Sequence, residues 1–228
     1  MCHLKSSLVI AVISVCTAVA ALSAPAASAK SADQAPTPGA KPPSPPAPPA
    51  APGGPGGPGG QGRRGAPQVM SLTTTAWPDG GSIPAQYTQA GPQISPPFSW
   101  ANVPDGVVSF VLIAHDLDAA TGNGTDDILH WMLWNIPAAT RSLPEAIAQA
   151  TQLPDGTRQI SVSGPYYRGP GAPAAGPAHH YVFELYAVDV MLDVPAVGQS
   201  PPLTRAAVIA GMAGHVRGKA VYTGLFKR

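Results

Sequence analysis

Residues 68–228 are divided by Pro and Gly into short apolar runs that are rich in Val, Ile, Phe, Trp and Tyr. The breakers recur roughly every 8 to 15 residues, a spacing typical of strands joined by turns, and it leaves little room for long helices. About 160 residues are enough for one domain with its own core. The pattern therefore predicts a single mostly β domain over residues 68–228.

Strands and helices can be placed along this domain from the apolar runs and their flanking residues. A helix is predicted over residues 203–212, with Ser200 or Thr204 as its cap and Gly214 near its end, and a shorter second helix over residues 144–149. We expect the late helix to pack on the sheet. The apolar runs predict strands at residues 69–74, 98–100, 107–115, 128–136, 159–162, 181–188 and 220–226.

The first 29 residues have the order of a secretory signal peptide. Lys5 is followed by an apolar run over residues 8–22 and then by small residues that end in Ala-Ser-Ala. About 15 apolar residues fall short of the roughly 20 needed to span a bilayer, so we expect cleavage after Ala29, with an uncleaved anchor as the alternative. Cys2 and Cys16 both fall in this leader. We therefore expect a thiol-free chain exported to the periplasm, the cell surface or the medium.

Residues 30–67 consist mainly of Pro, Gly and Ala and are predicted to be a disordered linker, because they hold almost no large apolar side chain. This segment carries four basic residues and one acidic residue, whereas residues 68–228 carry eight basic and eleven acidic residues. A nucleic-acid-binding domain normally shows a concentrated basic excess. We therefore expect no nucleic-acid partner, and membrane contact at most peripherally.

Carboxylates and imidazoles stand where the predicted strands begin or end. In a strand beginning at His179, the side chains of His179 and Tyr181 share one face with Phe183 and Leu185. The same alternation puts His130 on one face with Met132 and Trp134. Each imidazole then lies at the start of a row of large apolar side chains on one face of its strand. This placement predicts a site at the rim of an apolar pocket.

Six motifs follow one another in a recognisable order: SPPFSW at 95–100, VPDG at 103–106, HDLDAATG at 115–122, HWMLWNIP at 130–137, RGPGAP at 168–173 and HHYVFELYAVD at 179–189. Together with the closing AGHVRGKAVYTGLFKR, this order resembles the phosphatidylethanolamine-binding protein family, and within it the bacterial Raf-kinase-inhibitor-like proteins. The resemblance extends from about residue 83 to the C-terminus.

The resemblance implies an antiparallel β-sandwich-like domain in which a large sheet packs against a smaller one, with a C-terminal helix. It also implies a small pocket that accepts an anion such as phosphate or a phospholipid head group, with no cofactor. Carried over position by position, the ligand-binding residues are Asp116, Asp118, His130, Gly169, Gly171, Pro173, His179 and Tyr181.

Within this pocket, we expect His130 and His179 to donate hydrogen bonds to the anion, helped by backbone N–H groups of residues 169–171. Asp116 cannot contact an anion while ionised, so its expected role is to orient an imidazole. Tyr181 would supply a hydroxyl or an apolar wall. His115 shares the alternation of its strand and is expected in the core or at a sheet edge.

The chain departs from the family pattern at four positions. Leu117 and Ala120 replace two prolines, which predicts a less rigid loop. His180 replaces an arginine, and this predicts tighter anion binding at lower pH because imidazole is charged only there. Ala172 replaces a further proline.

Two other functions remain open at this point. The domain could be an inhibitor or interaction module for a protease or kinase-like partner, as relatives in the family are proposed to be. A metal-assisted hydrolase is a weaker alternative, since two His and two carboxylates are a plausible ligand count for zinc or iron. The chain contains neither a Gly-x-Ser-x-Gly elbow nor a P-loop, so we expect no catalytic residues and no metal.

Overall fold

The computed structural model of the chain describes residues 66–228. The predicted signal peptide, both cysteines and nearly all of the predicted linker lie outside the described residues. Within residues 66–228, no helix is both long and apolar enough to cross a bilayer.

Ten strands and one α-helix build the described part of the chain. A single turn of 3-10 helix at Ala85–Tyr87 precedes β4, and the α-helix α1 spans Pro201–Met212. The strands are β1 Gln68–Val69, β2 Ser71–Thr73, β3 Gly81–Ser82, β4 Phe98–Ala101, β5 Ser109–Thr121, β6 Asp126–Pro137, β7 Ser142–Leu143, β8 Arg158–Ile160, β9 His179–Val188 and β10 Val216–Phe226.

The strands form a large sheet and a small sheet. The large sheet has seven strands in the order β1-β10-β9-β5-β6-β8, with β3 also paired to β10, and its four long central strands are antiparallel. Only the short edge strands β1 and β3 run parallel to β10. The small sheet has the order β2-β4-β7. The predicted fold class, mostly β with a large and a small sheet and one late helix, is confirmed.

Each face of the large sheet is covered by a different layer. On one face, Phe98 and Trp100 of the small sheet pack against Phe110, Trp131 and Phe183 of the large sheet. On the other face, α1 buries its stripe of Thr204, Val208 and Met212 at a spacing of four residues, as expected for a helix with one inward side. The strands β5 and β6 are therefore buried on both faces along most of their length, so their sequences contain long apolar runs, whereas β9 and β10 alternate between buried and partly exposed residues.

The predicted strands agree with the structure, except that the run at residues 69–74 divides between the two sheets. Gln68–Val69 pairs with β10, and Ser71–Thr73 pairs with β4. The structure adds the two-residue strands β3 and β7, which are too short to show a periodic pattern. The long strands β5 and β10 each extend well beyond the predicted residues.

The second predicted helix, at residues 144–149, is wrong. Ala146 adopts a φ of 58°, which an α-helix cannot contain. The backbone N–H of Ala146 donates to the carbonyl of Ser95, and the N–H of Ile147 donates to the Ser95 hydroxyl. The backbone groups of this segment are thus satisfied by a distant serine instead of by a helix of its own.

The predicted late helix is confirmed, and it begins two residues earlier than expected. Pro201 and Pro202 form its first turn, where the missing N–H groups need no intrahelical partner. Ser200 is the N-cap residue, but its side chain makes no capping hydrogen bond. Thr204 lies inside the helix, where its hydroxyl donates back to the Ser200 carbonyl.

Candidate functional site

A bulge in β6 decides which way His130 points. Ala114 pairs with Trp131 and His115 pairs with Leu129, so His130 is an extra residue opposite a single step of β5. The ring of His130 lies 5.1 Å from the ring of Tyr181, edge to face, on the small-sheet side. The predicted grouping of His130 with Met132 and Trp134 is therefore wrong, because those two side chains belong to the helix-side core.

His179 lies at the first position of β9 and is paired with a buried carboxylate. Its Nδ1 atom is 2.9 Å from Oδ2 of Asp116 and 3.1 Å from Oδ1. The His179 side chain is 18% exposed, while that of Asp116 is 4% exposed. The predicted role of Asp116, which orients an imidazole from behind, matches this geometry. With Nδ1 held by the carboxylate, Nε2 is the nitrogen left for other contacts.

The carboxylate of Asp116 also organises the segment that follows it. Its Oδ1 accepts hydrogen bonds from the backbone N–H groups of Asp118 and Ala119, at 3.0 and 3.2 Å. Residues 117–120, for which a less rigid loop is predicted, are part of β5, and they bulge between the pairs Asp116–Ile128 and Thr121–Asp126. The bulge is held by the side chain of Asp116, which does not require the absent prolines.

The protonation state of His130 follows from its one hydrogen bond. Its Nδ1 lies 2.8 Å from the carbonyl oxygen of Arg168, and a carbonyl can only accept, so Nδ1 carries the proton. Burial lowers the pKa of His130, which favours the neutral ring. Its Nε2 is therefore an acceptor, and it is buried without a hydrogen-bond partner among the described residues.

Tyr181 connects the two imidazoles and holds the neighbouring loop. Its ring lies 6.5 Å from that of His179 in a stacked arrangement, in addition to its edge contact with His130. Its hydroxyl accepts hydrogen bonds from the backbone N–H groups of Gly171 and Ala172, at 3.2 and 3.1 Å. Burial raises the pKa of Tyr181, so the hydroxyl stays protonated. The N–H of Gly171, predicted as a donor to an anion, is therefore already used inside the protein.

Gly169 is required by close packing. A Cβ atom there would lie 2.7 Å from the carbonyl oxygen of Tyr87 and 2.8 Å from Cα of Thr88. A Cβ atom on Gly171 would meet only the flexible side chain of Gln89. Pro173, predicted as a ligand-binding residue, is exposed, whereas Ala172 beside it is buried.

The segment around Tyr87 was not singled out by the sequence, although it supports the whole loop. The hydroxyl of Tyr167 donates to the Tyr87 carbonyl at 2.8 Å. Gln89 exchanges two hydrogen bonds with the loop, from its N–H to the Pro170 carbonyl and from its side chain to the Gly169 carbonyl. Gln89 lies in a polar stretch without any periodic pattern, so no sequence signal indicated this role.

Asp118 and His180 form a hydrogen-bonded pair that lies outside the group formed by His130, His179 and Tyr181. His180 donates to Oδ2 of Asp118 from its backbone N–H at 2.6 Å and lies 2.8 Å from it through Nδ1. The backbone N–H of His180 is the main cause that lowers the pKa of Asp118. Because strand residues alternate, His180 projects from the opposite face of β9 to its two neighbours. The replacement of arginine by His180 therefore does not change the imidazole pocket directly.

His115 belongs to a charged cluster under α1. It contacts the carboxylate of Asp127 through Nδ1 and that of Glu184 through Nε2 at 3.5 Å, and Arg205 of α1 forms an ion pair with Asp127. Burial opposes the charged form of His115, but these two carboxylates outweigh it and raise its pKa. The predicted core position of His115 is confirmed, with the added feature that it connects the helix to the sheet.

The site thus consists of a neutral buried imidazole, a second imidazole backed by a carboxylate, and a tyrosine between them. Within residues 66–228, no group of three or more His, Cys, Asp or Glu side chains is arranged to hold a metal ion. These side chains come together where Asp116 of β5 and His130 of β6 lie beside the first residues of β9, in a β domain of two sheets.

Comparison with known proteins identifies the class. The family model of phosphatidylethanolamine-binding proteins matches residues 73–227. A "UPF0098 protein" of Methanothermobacter thermautotrophicus is 41% identical over 161 residues, which cover 70% of this chain and 99% of the relative. The chain therefore belongs to the phosphatidylethanolamine-binding protein family.

Two further similarities are informative. The "Putative lipoprotein LppC" of Mycobacterium tuberculosis is 30% identical over 164 residues, which cover 71% of this chain and 74% of the relative. The solved PEBP homolog CT736 of Chlamydia trachomatis is 28% identical, with a TM-score of 0.57 over 71% of this chain and 99% of that one. Escherichia coli YbcL has the same fold, with a TM-score of 0.60 at 22% identity over 70% of this chain and 98% of that one.

Proposed function

We propose that this chain is an exported, non-enzymatic binding protein whose pocket takes a small phosphate-type anion, either free phosphate or a phospholipid head group. The observation that carries the proposal is the unpaired Nε2 of His130. A buried polar atom without a partner costs about 1–3 kcal/mol, which a ligand that supplies the missing hydrogen bond would offset. Here the unpaired atom lies beside a second imidazole that a carboxylate has oriented.

The two imidazoles differ in what they offer a ligand. Neutral His130 offers an acceptor at Nε2, so its partner must bring a proton. His179, with Nδ1 held by Asp116, offers an N–H donor at Nε2 whenever the ring is charged. A singly protonated phosphate group carries both a P–OH donor and ionised oxygen acceptors. It can therefore form hydrogen bonds with both imidazoles. A carboxylate anion carries no proton at neutral pH, so it cannot donate to Nε2 of His130.

Access to this pocket requires a small movement. The Nε2 atom of His130 is buried, so a ligand must displace part of the rim before it contacts this atom. The segment from Pro173 to Pro177, which precedes His179 in the chain, is exposed and offers the least packed part of the surroundings. We expect the ligand to enter past this segment.

Export is supported by two independent features. The order of charged, apolar and small residues over residues 1–29 is typical of a secretory signal peptide. A relative from Mycobacterium tuberculosis is named as a lipoprotein, a class of protein found at the cell envelope. Cell fractionation of a strain that produces the tagged chain tests this part of the proposal, and a tag found only in the cytoplasm would contradict it.

Calorimetry tests the binding function. Phosphate and phosphorylethanolamine should bind the full-length chain at about pH 5.5 and more weakly at about pH 7.5, because acid favours the singly protonated ligand, whose P–OH can donate to Nε2 of His130. Acetate should bind less tightly than phosphate at both values. His130→Gln and His179→Gln should each weaken phosphate binding, whereas His215→Gln, at the distant pair with Asp189, should not. Absence of heat with all three ligands from folded protein would reject the proposal.

A further inference from the structure

A cavity of about 660 Å³ lies on the other side of the large sheet, between β6 and α1. We refer to it as the helix-side cavity. One wall is β6 from Asp126 to Leu129, and the other is the stripe of α1 that holds Pro202, Arg205, Ala206 and Ile209. Its volume falls in the range of pockets that hold small organic ligands, about 300–1,000 Å³.

The stripe of α1 that faces the cavity is separate from the stripe that faces the core. Its residues recur at intervals of three and four, which places them on one side of a helix. The core stripe is buried, but Ile209 in the cavity stripe is 47% exposed. Across the cavity Val162 is 39% exposed, and Ile128 and Leu129 complete the apolar lining. This part of the helix thus presents apolar surface that nothing in residues 66–228 covers.

The charges in the helix-side cavity are not all neutralised. Arg205 and Asp127 satisfy one another across it. Arg168 also lines the cavity, where its guanidinium donates to the hydroxyl of Ser163 at 3.1 Å. Within residues 66–228, no carboxylate lies within ion-pair distance of Arg168. It is therefore a cation of the cavity that still has capacity for an anion.

Arg168 and Asp126, the acidic residue of the cavity that is not paired with Arg205, lie beside different positions of β6. The N–H of Arg168 donates to the carbonyl of His130, whereas Asp126 begins β6 four residues earlier. At about 3.3 Å per residue, the backbone positions beside Arg168 and at Asp126 are on the order of 13 Å apart along β6. Ile128 and Leu129 lie between these two positions on the strand and line the same cavity.

We propose that the helix-side cavity is a second binding site, which takes a small amphiphilic carboxylate. The carboxylate pairs with the guanidinium of Arg168, and the alkyl chain lies along Ile128, Leu129 and Ile209. A planar guanidinium matches a carboxylate through two parallel hydrogen bonds, so arginine suits this group better than lysine would. This site is independent of the phosphate pocket, because its ligand contacts neither His130 nor His179.

Arg168 touches both sites through different atoms. Its carbonyl oxygen accepts from Nδ1 of His130, while its side chain lines the helix-side cavity. Arg168→Gln keeps the backbone carbonyl and removes only the cation. The variant should therefore lose carboxylate binding in the cavity and retain phosphate binding in the imidazole pocket.

Titration of the ¹⁵N-labelled full-length chain with octanoate tests the proposal. Octanoate should shift the amide signals of Leu129, Val162 and Ile209, while octanol and octylamine should bind at least about tenfold more weakly, because they cannot pair with a guanidinium. Arg168→Gln should weaken octanoate binding about tenfold by the same reasoning.

Two exposed alanines on α1 give a matched steric control. Ala206→Trp should abolish octanoate binding by filling the cavity, whereas Ala210→Trp, on the same helix outside the cavity, should leave the affinity unchanged. His179→Gln should also leave it unchanged. Octanoate binding that survives Ala206→Trp, or the absence of shifts at the three cavity amides, would overturn the proposal. Equal affinity for octanoate and octanol would overturn the assignment of the carboxylate to Arg168.

Discussion

The imidazole of His179 and the buried carboxylate of Asp116 are joined by a hydrogen bond of 2.9 Å from Nδ1 to Oδ2. The same carboxylate caps two backbone N–H groups of the bulge in β5. Asp116 therefore fixes both the direction of the imidazole and the backbone of the strand beside it.

Asp116→Asn should weaken phosphate binding roughly tenfold, because an amide orients His179 less firmly than the carboxylate does. Calorimetry at about pH 5.5 measures the change. Asp105→Asn is the matched control, since Asp105 is exposed in the turn before the start of β5, whereas Asp116 lies in the second half of that strand. Tighter phosphate binding by Asp116→Asn would show that repulsion from the carboxylate outweighs its orienting role.

Tyr181→Phe should lower the free energy of unfolding by about 1–2 kcal/mol, because the N–H groups of Gly171 and Ala172 lose their acceptor in a mostly buried place. Urea denaturation measures this loss. Tyr166→Phe removes a hydroxyl whose hydrogen bond to the Ser163 carbonyl is exposed, so its effect should stay within about 0.5 kcal/mol. Equal effects of the two variants would mean that the Tyr181 hydroxyl does not hold the loop.

Gly169→Ala should destabilise the chain by about 1–3 kcal/mol, because its methyl group would press on the backbone of Tyr87 and Thr88. Gly171→Ala should cost less, since the side chain of Gln89 can move aside. The midpoints of urea unfolding give the order of the two variants. A larger loss for Gly171→Ala would contradict this account of how the loop is packed.

The cluster under α1 predicts how stability depends on pH. Burial opposes ionisation of Asp127, but Arg205 and His115 outweigh it and lower the pKa of Asp127 to about 2. The nearby ring of His115, with Nε2 3.5 Å from the carboxylate, and the ammonium of Lys219 lower the pKa of Glu184 to about 2 as well. Each depressed carboxylate contributes stability above its unfolded pKa near 4 and loses it as pH falls through about 2.

The free energy of unfolding should therefore fall steeply between about pH 4.5 and 2, with each carboxylate contributing on the order of 2 kcal/mol. The raised pKa of His115 has the opposite sign, since its contribution is complete below about pH 6.5 and is lost as pH rises through its folded value. Asp127→Asn should flatten the acid limb in urea titrations. An acid limb of unchanged slope would contradict this assignment.

The sequence allowed the central architecture to be predicted because the long strands show clear apolar patterns. Tyr181, Phe183 and Leu185 recur at every second position, and the structure places all three in the core between the sheets. The late helix was predicted from its apolar run, with only its first turn missed. Family motifs predict His130, His179 and Asp116 as ligand-binding residues, and these three side chains lie together around Tyr181.

What the sequence did not predict depends on single backbone irregularities and on distant partners. One extra residue in β6 turns His130 to the other face of the sheet. The alternation of apolar residues in the sequence does not reveal such a bulge. The left-handed conformation of Ala146 and its hydrogen bond to Ser95 remove a helix that local propensity favours. The support of the loop by Tyr87 and Gln89 crosses about 80 residues of chain, as the separation of these contacts shows.

A crystal structure of the chain with phosphorylethanolamine at about pH 5.5 tests the central claim most directly. The account predicts phosphate density between the rings of His130 and His179, within hydrogen-bond distance of both Nε2 atoms, and no such density in His179→Gln. Phosphate found only against Arg168 in the helix-side cavity, or an unchanged imidazole pocket with Nε2 of His130 still unpaired, would contradict it.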